Sequence, residues 1–269
     1  MADLYIIAGI RTPFCRMGSD FDALGADDLG RLACTALLTR TGIDPGMIDE
    51  VIFGCVAQPA DAANLARVSA LRSGVPQHVP AATVQRNCAS GMEALTTAHQ
   101  RMVAGMGDLF LVGGAESMSN VPLFYPHSAA TKLAAVSKAK QIGQKVSAVA
   151  GFRPADFKPE PGLQLGLTDP YSGLIMGDTA EVLAREFHIT REQQDAFAAA
   201  SHRKALAAKE KLAEEISPAL LDGKVLSNDN GVREDSTPEK LAKLRPIFDP
   251  QGGTVTAGNS SQITDGAVA

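Results

Sequence analysis

Alternating apolar and polar segments divide the first 120 residues into strand and helix candidates. Apolar residues at helical spacing predict helices over residues 26–41 and 64–73, each followed by a glycine. Runs rich in β-branched and aromatic residues predict strands over residues 4–9, 50–56, 81–85 and 109–114. This alternation is typical of an α/β fold, in which helices cover both faces of a mixed, mostly parallel sheet.

An insertion interrupts this pattern after Ala115, where six prolines occur between residues 115 and 170. We expect an inserted loop domain at about residues 117–247. Within it, residues 131–149 predict one basic amphipathic helix, with lysines at positions 132, 138, 140 and 145. This helix either covers the core as a solvated surface or contacts an anionic membrane surface or a partner protein.

The remainder of the chain predicts one long helix followed by strands. Thr190, with Gln193 three residues later, predicts the N-cap of a helix that extends to about residue 211. TVTAG (254–258) predicts a strand, and the next residues form a turn whose backbone can approach a ligand closely. The final residues, GAVA, predict the start of another apolar strand, whose unpaired edge invites association. We therefore expect a second half of the fold that is not in this sequence.

Composition and charge narrow the class of protein. The 269 residues are 45% hydrophobic, which is enough for a large core, and the net charge of −5 gives no support for a nucleic-acid partner. The short apolar run near the N-terminus predicts neither a signal peptide nor a membrane span, so we expect a cytoplasmic protein. The four cysteines form no CxxC pair, so we expect no metal site.

Cys88 is the main candidate for chemistry, because it lies where a predicted strand ends at Val84 and a helix begins. Unpaired N–H groups and the positive end of the helix dipole favour a thiolate over a thiol at such a position. Ser90 and Glu93 have the spacing of a capping box, which would fix the start of the helix. An arbitrary cysteine is more often a buried structural thiol. The position of Cys88 favours a reactive nucleophile.

Several longer segments of the chain resemble one enzyme family, the thiolases, which make or cleave 3-ketoacyl-CoA. The resemblance covers essentially all 269 residues and corresponds to the N-terminal half of a thiolase, with the C-terminal thiolase domain absent. It rests on IRTPF (10–14), NCASGMEA (87–94), GGAESMS (113–119), MGDTAE (176–181), ITREQQDAFAAASHRKA (189–205), KLRPIFD (243–249) and GTVTAGNSSQITDGAVA (253–269).

The resemblance implies a role for particular residues. Cys88 would be the nucleophile that carries the acyl group as a thioester, and its backbone N–H would donate to the thioester oxygen. The pantetheine arm of CoA would lie along Ala257, Gly258 and Ser261 and near Met176. Coenzyme A thioesters would be substrates, with no further cofactor. The Gly-His-Pro base and Cys-Gly motif of thiolases do not occur, so we expect this chain alone to be inactive in the full cycle.

Two residues and one longer segment of the chain bear on which thiolase subfamily it resembles. Gln262 and Ile175 stand where short-chain biosynthetic thiolases have glycine and histidine. KAKQIGQKVS (138–147) resembles the insertion in thiolase subunits of fatty-acid β-oxidation complexes. That resemblance implies a 3-ketoacyl-CoA thiolase with a hydratase/dehydrogenase partner and peripheral membrane contact through residues 131–149.

Residues 57–71 resemble the thiolase dimer-contact segment, so we expect a homodimer or another homo-oligomer.

Other interpretations stay open. A biosynthetic acetoacetyl-CoA thiolase would have the same nucleophile. A ketoacyl-synthase-type condensing enzyme shares the fold, but the NSSQITDG and MGDTAE segments favour a thiolase. A noncatalytic CoA-binding or dimerisation fragment is the remaining alternative, and steady-state thiolysis by the 269-residue chain would exclude it.

Overall fold

A computed structural model describes residues 3–269 of the chain. The strands are β1 (Cys15–Arg16), β2 (Glu50–Gly54), β3 (Ala81–Val84), β4 (Phe110–Ser117), β5 (Leu123–Phe124), β6 (Glu160–Pro161), β7 (Ala219–Leu221), β8 (Lys224–Leu226) and β9 (Thr264–Val268). The α-helices are α1 (Ala26–Thr41), α2 (Leu65–Arg72), α3 (Ser90–Val103), α4 (His127–Lys138), α5 (Ile142–Ala150), α6 (Gly162–Leu167), α7 (Met176–Glu186), α8 (Arg191–Ala207), α9 (Lys209–Ala213) and α10 (Pro238–Leu241).

A five-stranded sheet organises the fold, with strand order β1-β9-β4-β2-β3. Strand β2 runs parallel to both β3 and β4, whereas β9 runs antiparallel to β1 and β4. The predicted α/β fold with a mixed sheet is therefore confirmed. Because β2, β3 and β4 are parallel, the carboxyl ends of these three strands lie at the same edge of the sheet.

Strand β2 is buried along its whole length because helices cover both of its faces. Val51 and Phe53 belong to the main core, which also contains Leu29 of α1 and Leu65 of α2. Ile52 points to the opposite face, where it packs against small residues of α3. Strands buried on both faces give continuous apolar runs, which explains why this strand was predicted correctly.

Two stretches that predict strands are not strands in the structure. In the first, Tyr5, Ile6 and Ile7 are 77%, 75% and 81% exposed, and regular pairing begins only at Ile10, which exchanges hydrogen bonds of 2.9 and 3.0 Å with Ala269. No strand flanks these three residues within the described part of the chain, so their β-propensity has no partner. In the second, residues 254–258 are irregular because side chains satisfy most of their backbone N–H groups.

Residues 131–149 form two helices instead of the single predicted helix. Helix α4 ends at Lys138, the backbone is extended at Ala139, and α5 begins at Ile142. The helix predicted from Thr190 is confirmed at its start, where Gln193 N donates to Thr190 Oγ1 over 3.3 Å and Thr190 N to Gln193 Oε1 over 2.9 Å. It also divides in two, as α8 and α9.

The described chain forms two compact units. One contains the residues up to Asn120 together with Ala180–Ala269, and the other is Val121–Thr179. The second unit overlaps the predicted inserted loop domain at about 117–247, whose bounds stay a prediction. No helix in the described residues is long and apolar enough to cross a membrane.

A buried carboxylate organises the second unit. Asp156 accepts hydrogen bonds from Lys132 Nζ and Ser128 Oγ, both at 2.6 Å, and from Arg153 N at 2.7 Å. These donors, led by Lys132, hold the pKa of Asp156 well below its usual range. One consequence is that Lys132 does not contribute to the exposed basic surface of this unit.

The second unit is expected to lose stability in acid through Asp156. A carboxylate whose pKa is depressed by folding stabilises the native state above its unfolded pKa, which is about 3.9, and that contribution disappears as the pH falls further. The protection factors of amides in residues 121–179, which correct for the intrinsic exchange rate, should therefore fall below about pH 4. Asp156→Asn should remove most of this dependence while raising exchange at neutral pH. A pH dependence unchanged by the substitution would contradict this account.

Candidate active site

Cys88 is exposed at the turn between β3 and α3. Asn87 adopts a left-handed conformation with φ of 47°, which asparagine tolerates better than most residues. Ser90 holds the turn together, because its hydroxyl donates to Asn87 O over 2.6 Å and accepts from Arg86 N over 2.9 Å. The turn therefore presents the Cys88 side chain outwards, two residues before α3 begins, as the sequence predicted.

The predicted capping box between Ser90 and Glu93 is wrong. Helix α3 has Ala89 as its N-cap, with no side-chain cap. Ser90 is the first helical residue and its hydroxyl is bound within the turn. Glu93 pairs with Arg86 instead, through hydrogen bonds of 2.5 and 3.0 Å. This exposed pair fixes the same turn from outside, and the hydrogen bond from Arg86 lowers the pKa of Glu93.

Glycine allows α3 to approach the sheet closely beneath Cys88. A methyl group on Gly54, at the end of β2, would overlap the carbonyl of Ser90 and lie 2.7 Å from Gly91 N. A methyl group on Gly114 of β4 would lie 3.2 Å from Gly54 O. The start of α3 thus rests directly on the carboxyl end of β2 and lies close to Gly114 in the middle of β4. The helix then buries Ala94 and Ala98, whereas Met92 is 62% exposed.

A cavity of about 330 Å³ opens beside Cys88. Its apolar walls include Phe14, Val56 and Met118, and Glu116 adds a carboxylate. That carboxylate accepts hydrogen bonds from Val56 N at 2.8 Å and Ala57 N at 2.9 Å, so it fixes the loop that follows β2. The cavity can hold an apolar group next to an exposed thiol.

The other cysteines are not suited to catalysis. Cys15, Cys34 and Cys55 are buried. Burial raises the pKa of Cys15 and of Cys34 to about 12, and nearby carboxylates add to the effect at Cys15. Burial, and then the charge of Glu116, also raises the pKa of Cys55. Cys88 is the exposed thiol of the four.

Three of the predicted CoA-binding residues, Ala257, Gly258 and Ser261, share one turn, residues 256–261, which leads into β9. Ala257 and Ser261 are exposed and Gly258 is half-buried. None of them lines the cavity beside Cys88, although β9 itself does through Gly266 and neighbouring residues. Met176 is 48% exposed and is the first residue of α7, in the second unit.

Sequence reasoning missed three carboxylates that shape this region. They are Glu116 beside the cavity, and Glu181 and Asp195, which are 3% and 2% exposed and bind the backbone or side chains of residues 254–259. Glu116, Glu181 and Asp195 all lie in segments that resemble the family, so each of them had a signal in the sequence. Their partners are about 60 or more residues away, which sequence spacing does not reveal. Within the described residues, no group of three or more acidic, histidine or cysteine side chains is placed to hold a metal ion.

Comparison with known proteins identifies the family. The chain is 40% identical over 267 residues to the 3-ketoacyl-CoA thiolase of Pectobacterium carotovorum subsp. carotovorum, covering 98% of this chain and 60% of that protein. It is 39% identical over 268 residues to the 3-ketoacyl-CoA thiolase of Vibrio cholerae, covering 98% of this chain and 61% of the relative. The chain thus spans about three fifths of the length of these curated relatives.

Solved structures agree with this assignment. The human mitochondrial 3-ketoacyl-CoA thiolase in complex with CoA superposes with a TM-score of 0.82 at 32% identity, covering 97% of this chain and 62% of that one. The Bacillus anthracis acetyl-CoA acetyltransferase gives a TM-score of 0.83 at 33% identity, covering 98% and 63%. The family description "Thiolase, N-terminal domain" matches residues 4–269. The chain therefore belongs to the thiolase family and corresponds to its N-terminal domain.

Proposed function

We propose that this chain is the cysteine-bearing part of a 3-ketoacyl-CoA thiolase, an acetyl-CoA C-acyltransferase that acts in fatty-acid β-oxidation. The observation that carries the proposal is the position of Cys88, an exposed thiol at the start of α3 beside a largely apolar cavity. The relatives with the same name support the choice of substrate class. Gln262 and Ile175 favour this activity over the biosynthetic, short-chain one.

The reaction takes place in two acyl transfers at Cys88. Its thiolate attacks the 3-keto carbon and forms a C–S bond; the C2–C3 bond then breaks, and the electron pair leaves on C2, which takes a proton to give acetyl-CoA. The acyl group remains on Cys88 as a thioester. The thiol of a second CoA loses its proton, attacks the thioester carbon and releases the Cys88 thiolate. The backbone N–H of Cys88 is the chain's proposed donor to the oxyanion in both transfers.

These transfers also require groups that accept and donate protons. The five histidines lie at positions 78, 99, 127, 188 and 202, and none is in a Gly-His-Pro sequence. General acid–base catalysis contributes about 10²–10⁴-fold to such reactions. We therefore expect the chain by itself to form the Cys88 thioester slowly and to show no steady-state thiolysis.

Mass spectrometry of the chain after incubation with acetyl-CoA and with 3-ketoacyl-CoA of several lengths tests the proposal. Acyl groups are expected at Cys88, and more rapidly when the chain is joined to the C-terminal half of a relative. If Cys88 is acylated neither in the chain alone nor in the joined form, the proposal is overturned. The noncatalytic CoA-binding or dimerisation fragment would then be the remaining interpretation. Acylation only by acetyl-CoA and acetoacetyl-CoA would favour the biosynthetic thiolase.

A second proposed property is contact with an anionic membrane surface through α4 and α5. On α5, Ile142, Val146 and Val149 are 82%, 63% and 56% exposed, and helical spacing brings them to one side. Lys140 and Lys145 are also exposed close to this apolar stripe. Apolar residues combined with lysines suit the interface between lipid headgroups and acyl chains.

Vesicle sedimentation is expected to show this contact. The chain should sediment with vesicles that contain an anionic phospholipid and less with neutral vesicles, and Ile142→Asp should weaken the binding because it places a charge in the apolar stripe. Lys158→Ala, outside both helices, serves as a control for general charge effects. Equal sedimentation of the chain and of Ile142→Asp would refute the contact.

The proposed function also includes assembly. Residues 57–71, predicted as a dimer contact, comprise a 3₁₀-turn at Ala60–Ala62 and most of α2. We propose a homo-oligomer formed through this segment, together with a hydratase/dehydrogenase subunit as partner and a cytoplasmic location. The resemblance to β-oxidation thiolases supports the oligomer and the partner subunit. The net charge of −5 is compatible with a cytoplasmic location.

A further inference from the structure

The 256–261 turn is held together by the side chain of Asn259. Its Oδ1 accepts from Thr256 N over 2.7 Å, and its Nδ2 donates to Thr254 O over 3.0 Å. Thr256 is fully buried, and its Oγ1 accepts from Gly258 N and Asn259 N over 3.2 and 3.3 Å. The turn therefore has a defined shape, which the Asn259 amide fixes together with the hydroxyl groups of Thr256 and Ser260.

That amide is itself held by a buried carboxylate on helix α8. Asn259 Nδ2 also donates to Asp195 Oδ1 over 3.0 Å, and Asp195 is only 2% exposed. The other oxygen of Asp195 accepts from Arg191 Nε over 2.8 Å. Arg191 Nη2 in turn donates to Leu241 O and Leu244 O over 2.6 and 3.0 Å. A paired and fully hydrogen-bonded charge of this kind is costly to disturb.

The segment that Arg191 binds also supports the backbone of the turn. A methyl group on Gly258 would lie 2.5 Å from side-chain atoms of Leu241 and Leu244, so the backbone rests on the segment that Arg191 binds. Ala257 and Ser261 remain exposed. The contacts thus form one continuous path from Arg191 through Asp195 and Asn259 to the exposed residues of the turn.

The geometry points to Asp195 as a positioning residue for CoA: held by Arg191, it acts through Asn259 to fix the 256–261 turn in the shape that binds the pantetheine arm. This inference rests on the proposed function, because that function assigns CoA to the turn. Asp195 touches no substrate, and its effect on CoA is transmitted through Asn259.

Asn259→Asp tests the inference with little change in size. It places a second carboxylate 3.0 Å from Asp195 and removes the donor to Thr254 O. The turn should then open, and the dissociation constant for CoA is expected to rise at least about tenfold. Asn259→Ser removes the contact with Asp195 without adding charge and should raise the same constant. It keeps the test valid if Asn259→Asp does not fold.

The reciprocal double variant, Asp195→Asn with Asn259→Asp, provides a rescue. Its new amide can donate to the new carboxylate and still accept from Arg191, so the contact between helix and turn is restored while the bond to Thr254 O is not. CoA binding is expected to recover in part relative to Asn259→Asp. If the two substitutions acted independently of each other, their effects would add and CoA binding would not recover.

Glu50→Gln is the matched control. Glu50 is 7% exposed and pairs with Arg101 over 2.9 Å. Like Asp195→Asn in the double variant, this substitution removes a buried charge from an arginine on a helix. It lies at the opposite end of β2 from Gly54. The melting temperature of the Glu50→Gln variant should fall, while its CoA affinity and the rate of Cys88 alkylation by iodoacetamide stay the same as in the unaltered chain. The Asn259 variants should weaken CoA binding and leave that alkylation rate unchanged.

Isothermal titration with CoA, melting curves and alkylation rates measure these effects. Weaker CoA binding in the Asn259 variants, partial recovery in the double variant and normal binding in Glu50→Gln support the inference. If the Asn259 variants bind CoA as tightly as the unaltered chain does, the inference is overturned but the proposed function is not. The same holds if Glu50→Gln weakens CoA binding as much as the Asn259 variants do. Failure of the unaltered chain to bind CoA overturns the inference together with the assignment of CoA to this turn.

Discussion

The native chain is expected to take up one carbamidomethyl group from iodoacetamide at neutral pH, and Cys88→Ser is expected to take up none. Cys88 is exposed, whereas Cys15, Cys34 and Cys55 are buried. Iodoacetamide reacts with the thiolate, and a thiol with a pKa of about 12 is ionised to only about one part in 10⁵ at pH 7. The substitution therefore removes nearly all labelling, together with all acylation.

Intact-mass spectrometry before and after unfolding checks this result. In denaturant the buried thiols become accessible, so the unaltered chain should carry four labels and Cys88→Ser three. Cys34→Ser is a useful control, since its native labelling should equal that of the unaltered chain. Native labelling of Cys88→Ser at Cys55, next to the cavity wall, would show that the loop after β2 opens and would contradict the structure.

The sequence predicts best where neighbouring residues determine the structure. The position of Cys88 follows from the change from a β-branched run to a helical pattern within a few residues, and the strand at Val84 and the helix after it are confirmed. Thr190 is likewise a correct N-cap, because its partner Gln193 is only three residues away. Local hydrogen bonds and periodicity suffice for these features.

The errors occur where another residue, near in the sequence or far from it, competes for the same group. Glu93 has the spacing of a capping box, but Arg86 offers an ion pair and Ser90 binds the turn instead. Residues 254–258 have strand composition, but Glu181 of helix α7 accepts from Thr254 N and Val255 N. The pattern along the chain contains no information on which of these partners folding brings together.

The cavity shows the same limit. Phe14, Val56, Glu116 and Gly266 come from four separate segments, and only the fold makes them neighbours of Cys88. Three of these segments carry the family resemblance, but the resemblance did not predict that Glu116 would fix the loop after β2. Resemblance identifies the segments that matter, whereas the structure gives the contacts through which they act.

Gly54→Ala is expected to destabilise the chain and displace the Cys88 turn. The new methyl group would overlap the carbonyl of Ser90 and lie 2.7 Å from Gly91 N, and neither backbone group can rotate away as a side chain could. Overpacking of this kind costs about 1–3 kcal/mol. Each kcal/mol corresponds to a fall of about 2–4 °C in the melting temperature of a protein near this size. Acylation of Cys88 should slow as well, since its turn moves with α3.

Gly91→Ala is the matched control for stability, because it adds the same methyl group on the other side of this contact. Nothing lies within 4 Å of that position, and Gly91 is inside α3. Alanine is favoured over glycine within helices by about 1 kcal/mol, so this variant should melt at the same or a higher temperature. Equal melting temperatures for Gly54→Ala and Gly91→Ala would mean that α3 can lift from the sheet without cost. The close approach of helix and strand could then not be what fixes Cys88 at the edge of the cavity.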